Sequence, residues 1–518
     1  MKSPEVIVVG VGLAGLVTAS ELTRAGKRVL LLDQEPENSL GGQAHWSFGG
    51  VLMVGTPEQE ALGIEDSHEL ALRDWLVTAD FNQNDDLPRQ WAERYISFAA
   101  GELGDWLREH GVQFVPTVTH PEAAPPGGGV GSSVPRFHVA WGMGPGLLRP
   151  FTERLRAASS DEPVDVRFRH RVDSLIVEDG RVRGVRGSVL APDDVPRGRA
   201  SNRTIVGEFE HRAGDVVIAS GGFGGNLELT REVWPTERLG AVPRSLLRGA
   251  PEHVDGRMLT IASDAGAAVA NLDRLWPYAE GVSHHTPLWS DHGVRLIAGP
   301  HGLWLDGRGD RLGDNLVSGR DSQAGLAAVR ATGLDHSWLV ITQRIAETSV
   351  VIAGQDQNPQ FASVDAFAAR PAVNPAVTAL LTGGGDVLIA DNVDELITKM
   401  QTIAPAVEGL RVRAAVRQWS AQPVEGNPTP DLLDPSAAPL VAIRLQTLTR
   451  KSLGGIVTDL RSRVLDASGQ PIPGLYAVGE AAGFGGGGMH GHRALEGGFL
   501  GGCIFTGLTA ARALIGTT

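Results

Sequence analysis

Three observations on this 518-residue chain predict an α/β fold whose nucleotide-binding domain is split by an inserted α+β domain. A glycine-rich turn lies near the start, in VIVVGVGLAGLVTASEL. An acid ends the next apolar run, in KRVLLLDQ. A second glycine-rich stretch, YAVGEAAGFGGGGMHGHRALEGGFLGG, lies near the other end.

Gly10, Gly12 and Gly15 follow an apolar strand pattern and open a helical one, the strand, turn and helix context that a dinucleotide fingerprint requires. Gly10 permits the tight turn, Gly12 lets the backbone approach a pyrophosphate, and Gly15 allows the helix to pack closely on the strand. Leu13 and Ala14 begin that helix, whose unpaired N–H groups and positive dipole end face the phosphates. Asp33, followed by Gln34, stands about 20 residues beyond the turn, where an acid accepts a hydrogen bond from a ribose hydroxyl and favours an unphosphorylated ribose.

The composition is that of a globular protein of two or three folding units, 42% hydrophobic with a formal net charge of -14. That charge gives no broad basic footprint for nucleic acid or an anionic membrane. MKSPEVIVVG enters the first strand directly, leaving no room for a signal peptide. No segment reads as an uninterrupted span of about 20 apolar residues. A cytoplasmic protein without a membrane span is the expectation. Cys503 is the single cysteine, which excludes an intramolecular disulfide, a cysteine-ligated iron–sulfur cluster and a CxxCH haem attachment.

VDSLIVEDGRVRGVRGSVL alternates on both sides of Asp179-Gly180 and reads as a β-hairpin. APDDVPRGRASNRTIVG after it reads as a solvated loop, and PEAAPPGGGVGSS as a surface insertion. NVDELITKM reads as a helix capped by Asp391 or Asn392.

Three further segments, GGQAHWSFGGV at 41–51, VVIASGGFGGN at 216–226 and the C-terminal YAVGEAAG with RALEGGFLGG, complete a pattern. Together with the first turn they resemble the flavoprotein subunits of fumarate reductase and succinate dehydrogenase, and the related 3-ketosteroid dehydrogenases. The resemblance implies a Rossmann-like FAD-binding domain in residues 1–273 and 447–518, with an α+β substrate-capping domain in 274–446 that closes the substrate against the flavin.

It also implies roles for particular positions. Gly41 and Gly42 pass close to the pyrophosphate. Ser47, Gly49 and Gly50 place backbone N–H groups beside the isoalloxazine, where donors stabilise the charge of the reduced ring. Ala219, Ser220 and Gly221 resemble the strand end under the FAD, and Val172 the adenine-contacting strand. Glu480, after Gly479, stands where the family holds a FAD hydroxyl. At Leu495, Gly498 and Leu500 a helix N-terminus points at the flavin pyrimidine. Asn226 and Asp255 complete the implied cofactor-binding set. Gln43 occupies the place of the histidine that some members join covalently to FAD, and His45 is out of register with it, so noncovalent FAD is expected.

The reaction implied is hydride transfer between the flavin and a carbon beside an activated C=C or CH–CH bond. A proton moves at the neighbouring carbon, and a carbonyl or carboxylate polarises the bond. GDRLGDNLVSGRDSQAGLA resembles the stretch carrying the proton-donating arginine of fumarate reductases, which places that role on Arg320; an ion pair with Asp321 is the alternative. Arg493 resembles the arginine that binds a substrate carboxylate.

The family's HTMGG reads Lys451-Ser452-Leu453-Gly454-Gly455 here, so the histidine-rich dicarboxylate cradle is missing. A lysine still polarises a carbonyl, and a neutral enone or ketosteroid is the expected substrate. Tyr278 is the candidate proton relay or enolate donor, whereas Tyr476 reads as core. Adjacent His284 and His285 are poorly placed to share a metal, and none is expected. Trp276, Trp289, Trp304 and Trp338 either line an apolar pocket or form core. A flavin-dependent hydroxylase or oxidase using molecular oxygen, and a catalytically degenerate redox-responsive flavoprotein, are the alternative functions. The sequence does not specify the electron acceptor.

Overall fold

In a computed structural model the described residues are 3–125, 127–157, 164–313, 316–421 and 431–516. They divide into two compact units: Met1–Val233 with Ala250–Trp276 and Lys451–Thr518, and Trp234–Gly249 with Pro277–Arg450.

The first unit is built on a six-stranded sheet ordered Arg463–Leu465, Pro471–Ala477, Asp215–Ile218, Val6–Val9, Val29–Leu32, Val164–Arg167. All neighbours run parallel except the first pair. VIVV and VLLL are buried at every position, as strands covered on both faces must be. The helix Leu13–Arg24 makes the crossover between them, and nine of its twelve residues are buried. One neighbour is the C-terminal helix Gly498–Ile515, whose Gly507 carbonyl accepts a bond of 3.2 Å from Thr18 Oγ1. That helix is long and apolar enough to cross a membrane by length and composition, yet Ile504, Leu508 and Phe505 are buried.

The expected hairpin is present as His170–Glu178 and Arg181–Leu190. Asp179 (φ 50) and Gly180 (φ 72) both lie in the left-handed region, which a two-residue type I′ connection requires. The following segment is not a plain solvated loop. Arg169 donates to Ala191 O, Ser201 Oγ and Asn202 O, and Arg197 donates to Leu40 O at 2.8 Å. The insertion near residue 121 is also anchored, through Gly131 N to Thr78 Oγ1 and Ser133 to Asp74; its Pro126 lies outside the described residues.

The second unit holds an eight-stranded sheet with Leu440–Ser452 near its centre, a strand that crosses the unit boundary at Arg450. Its neighbours Leu275–Ser283 and His336–Thr342 are flanked by Gly293–Ile297 and Leu303–Asp306. Trp234–Gly249 belongs to this unit, which a boundary at 273/274 does not anticipate, because Leu247 and Arg248 pair in parallel with Leu448 and Thr449. Trp338, Leu305, Met400 and Val412 form part of its core. Asn392, rather than Asp391, caps the helix Val393–Ile403, accepting from Glu395 N at 2.9 Å.

Candidate active site

The glycines of the first turn separate by what surrounds them. Gly10 (φ +108) would place a Cβ 2.5 Å from Ala219 O, and Gly15 would place one 2.1 Å from Gly10 O. Packing alone demands both. A Cβ on Gly12 would meet nothing within 4 Å. Gly12 is the N-cap of Leu13–Arg24, so open space lies where the first helical N–H groups have no intrahelical acceptor. This fits the pyrophosphate of FAD. Gly41 bridges to Gly12, and a Cβ on Gly42 would sit 3.2 Å from Gly12 Cα, closing the second glycine pair over the turn.

Asp33 lies at the end of the neighbouring strand. Its Oδ2 accepts from Val11 N at 3.0 Å and its Oδ1 from Glu35 N at 2.8 Å, leaving a lone pair on each oxygen for a ribose hydroxyl. Burial raises its pKa, against the pull of those two backbone donors. Gln34 is half-buried, its amide donating to His253 O at 3.3 Å. Glu35 was not among the sequence candidates. It is 3% exposed and accepts from Ser201 Oγ at 2.9 Å and Arg203 Nη2 at 2.6 Å, which fastens the 191–204 segment beside Asp33.

Glu480 joins the two ends of the chain. Its Oε2 accepts from Gln43 Nε2 at 2.9 Å, and its Oε1 from Ser452 N at 2.9 Å and Ser452 Oγ at 3.1 Å. Burial raises its pKa, while Ser452, Gln43 and the charge of Lys451 act in the opposite direction. Gln43 is thus held as a partner of Glu480. Ala219 donates to Val9 O at 2.8 Å, and Gly221 (φ +78) lies against Gln43, with a Cβ position 3.4 Å from Nε2. The Ala219–Gly221 strand end, with Ser220 between, therefore sits beside both the turn and Gln43.

Several implied positions also make local contacts. Gly49 N donates to Ser47 Oγ at 3.2 Å, and Cβ atoms on Gly49 and Gly50 would strike Met143 backbone and the Phe137 ring; the donor expected at Gly49 is engaged within its own loop. Asn226 caps Leu227–Glu232 through Leu229 N and donates to Asp255 O, while Asp255 Oδ1 accepts from Arg257 N. Val172 is buried, and its carbonyl accepts from Arg257 Nε at 3.4 Å.

The second helix N-terminus begins at Gly498 after the N-cap Gly497 (φ 91), with Leu495 O accepting from Gly498 N at 3.2 Å and Leu500 in the first turn. Lys451 Nζ lies 3.4 Å from Glu496 Oε2 and 3.7 Å from the centre of the Phe499 ring. Glu496 Oε1 accepts from Trp276 Nε1 at 3.2 Å. Arg493 is half-buried three residues before Glu496. Glu496, Phe499 and Ser452 were not singled out in the sequence; their partners lie far away along the chain.

In the second unit Tyr278 is buried, with the Arg295 guanidinium 4.2 Å from its ring centre. Arg320 is exposed, and Asp321 Oδ1 accepts from Ala324 N at 2.8 Å, capping Ser322–Ala331. Asp314 and Asn315 of the stretch preceding Arg320 lie outside the described residues. His284 Nε2 lies 3.0 Å from Asp356 Oδ2 and its ring stacks on His285 and His292. Among the described residues no group of three or more His, Cys, Asp or Glu is arranged to hold a metal. Trp304 and Trp289 donate to Ser337 Oγ and Arg248 O, and Trp338 is core.

Residues 5–500 match the family described as FAD binding domain. The chain is 48% identical to a KsdD-like steroid dehydrogenase of Mycobacterium tuberculosis, over 98% of this chain and 95% of that protein. It shares the fold of a 3-ketosteroid-Δ4-(5α)-dehydrogenase from Rhodococcus jostii solved with 4-androstene-3,17-dione, at a TM-score of 0.67, 23% identity and coverage of 99% of this chain and 97% of that one. An open-form flavocytochrome c3 fumarate reductase gives a TM-score of 0.68 at 21% identity, over 99% of this chain and 78% of that one. These likenesses settle the family: the chain belongs to the FAD-binding family and is an FAD-dependent oxidoreductase of the dehydrogenase type that acts on CH–CH bonds.

Proposed function

We propose that this protein is a ketosteroid dehydrogenase, acting on the CH–CH or C=C bond beside the ring ketone of a steroid. The observation that carries the reading is the 48% identity to a KsdD-like steroid dehydrogenase along nearly the whole chain, supported by the open space beside Gly12 at the first helix N-terminus and by the link of Glu480 to Gln43 and Ser452. FAD, when bound, supplies the two-electron hydride acceptor or donor for such a reaction.

The chain's own residues have three tasks. Gly12 and the helix it caps hold the pyrophosphate, and Asp33 and Glu480 accept from cofactor hydroxyls. Lys451, set by the Phe499 ring and Glu496, donates to the substrate carbonyl oxygen and stabilises the enolate charge developing there. Arg493 provides a second cation. Proton transfer falls to Tyr278 or Arg320; because arginine stays charged up to a pKa above about 12, Arg320 serves only through an organised relay. Substitution of each tests the assignment.

Anaerobic mixing of the yellow holoprotein with 4-androstene-3,17-dione and its saturated and 1,4-diene relatives is the direct test. Bleaching of the oxidised flavin band, or its recovery in the pre-reduced protein, is expected with at least one of them, and Lys451→Met is expected to lower kcat/KM by about 100-fold. No flavin response to any steroid ketone overturns the reading. We further place the protein free in the cytoplasm, which sedimentation of a cell lysate checks: the chain should remain in the supernatant.

A further inference from the structure

Residues 191–204 form a closed loop with no task in the reaction outlined above. Its base is pinned where Ala191 N donates to Thr204 O at 2.8 Å. Asp193 staples it from inside. Its Oδ2 accepts from Asn202 N at 2.7 Å and Asn202 Nδ2 at 2.9 Å, and its Oδ1 from Val195 N at 3.0 Å. A loop closed at its base and tied by its own side chains is a compact Ω-loop, with a shape of its own to impose on what it touches.

What it touches is the stretch 34–40, which joins Asp33 to Gly41, and it holds that stretch at both ends and in the middle. At the Asp33 end, Ser201 Oγ and Arg203 Nη2 donate to the Glu35 carboxylate at 2.9 and 2.6 Å, and Glu35 N in turn donates to Asp33 Oδ1 at 2.8 Å. Arg169 Nη1 ties the same end, donating to Ser201 Oγ at 2.8 Å and to Gln34 O at 3.0 Å. Midway, Asn38 Nδ2 donates to Asp194 O and Val195 O at 3.1 and 3.2 Å. At the far end, Arg197 Nη2 donates to Leu40 O at 2.8 Å. The next residue, Gly41, donates to Val11 O at 3.0 Å and bridges to Gly12. Ser201 and Glu35 are 6% and 3% exposed, so the fastening nearest Asp33 is shielded from competing water.

We infer that the 191–204 loop positions the ADP half of FAD: by bracing residues 34–40 it fixes the spacing between the acid that receives the ribose hydroxyl and the glycines beside the diphosphate. The inference rests on the reading of Asp33, Gly12 and Gly41 as cofactor contacts. Two contact points serve one ligand only while their separation is kept. The stretch itself holds a three-residue 3-10 helix, Glu37–Ser39, and so short a turn does not fix the path on either side of it. The loop supplies the hydrogen bonds that the stretch cannot make for itself, and ordering it before the cofactor arrives removes that entropy cost from binding. Ser201 and Arg197 act through Glu35 and Leu40, which makes them positioning residues.

The test uses the full-length holoprotein with FAD and ADP as probes, ADP carrying the ribose and diphosphate but no flavin. Equilibrium dialysis of the flavin gives the Kd for FAD, and displacement of FAD gives the Kd for ADP. Ser201→Ala is expected to weaken both by about tenfold, the scale of one hydrogen bond to a buried charged group. Ser201→Thr, which keeps the hydroxyl, is expected to restore both. At saturating FAD the midpoint potential of the bound flavin should stay at its wild-type value, because the braced stretch ends at Gly41. Arg197→Gln, at the half-buried far end, should weaken both ligands roughly threefold, which keeps the inference testable if Ser201→Ala fails to fold.

FAD and ADP affinities unmoved by these substitutions, with only the unfolding temperature lowered, overturn the inference and leave the loop a structural brace. A midpoint potential that shifts in Ser201→Ala overturns it as well, since the effect then reaches the flavin end. Asp33→Ala separates the inference from the reading beneath it. If that substitution also leaves both affinities unchanged, the cofactor contacts assigned to Asp33 fall too; if it weakens them while the loop variants do not, the inference alone falls. None of these measurements involves a steroid, so the proposed function is judged independently.

Discussion

Two buried glutamates, one from each unit of the molecule, are held in different ways. Glu280, in the second unit, is 1% exposed and accepts from Arg295 Nε at 2.8 Å, Ser318 Oγ at 2.7 Å and Gly319 N at 2.7 Å. Glu480, in the first, is 8% exposed and is met by Gln43 and Ser452, all neutral donors. Glu280 has a hydrogen-bonded counter-charge and works as a strut between strand and loop. Glu480 has dipoles, and its carboxyl is pushed above the usual range by burial. A carboxylate retained where burial makes its charge costly is a candidate for a functional role, and Glu480 meets that description where Glu280 does not.

The largest effect that can break this contrast is on Glu280. Glu280→Ala strands the Arg295 guanidinium, 6% exposed in its side chain, and should destabilise the protein by about 3–5 kcal/mol, read as a fall in thermal unfolding temperature. A loss below about 1 kcal/mol would show that Glu280 is no strut.

Next come two buried histidines, one per unit. His490 lies against Trp75, Phe484 and Phe499, its ring nitrogens without a partner among the described residues. His292 lies against Trp289 and His284. Burial lowers the pKa of each to about 3. Because the folded values are depressed below the ordinary one, their contribution is fully present above about pH 6.5 and is lost as pH falls towards about 3, by up to about 1.4 kcal/mol per pH unit for each. The raised carboxyl groups of Asp33 and Glu480 act with the opposite sign, their burden growing as pH rises through their folded values. Unfolding temperatures between pH 7 and 4.5 for His490→Phe and His292→Phe, set against the wild type, should therefore show a flatter acid limb. Unchanged slopes would place the acid sensitivity elsewhere.

The smallest effect sharpens the other side of the contrast. Glu480→Gln removes a buried charge and one strong acceptor. Stability of the apoprotein at pH 7 should hold or rise, while the FAD dissociation constant should increase about tenfold, roughly 1.4 kcal/mol, measured by equilibrium dialysis of the flavin. A drop in apoprotein stability like that of Glu280→Ala would erase the distinction.

The legible and illegible parts of the fold divide along the same line. The turn at Gly10, Gly12 and Gly15, the acid Asp33 and the hairpin at Asp179-Gly180 were readable because each is a backbone demand met within a few residues. At Asn226, Asp255 and Gly49 the resemblance implies cofactor contact, and the folded chain adds capping and loop-closing hydrogen bonds that no local pattern announces. The 191–204 segment looked solvated because nothing local announces that Arg169 and Glu35 will hold it. Trp234–Gly249 joined the second unit through strand pairing with residues about 200 positions away.

The amino-acid sequence by itself therefore announced a dinucleotide site, and the resemblance carried by its other glycine-rich segments pointed to FAD: glycines that bring backbone close to a phosphate and an acid that follows a strand are short-range requirements, written where they act. The tertiary structure decided which acids are paired. Gln43 with Glu480 spans 437 positions, and Trp276 and Lys451 reach Glu496 across 220 and 45. Charge compensation depends on distances in space, and only the folded chain sets those.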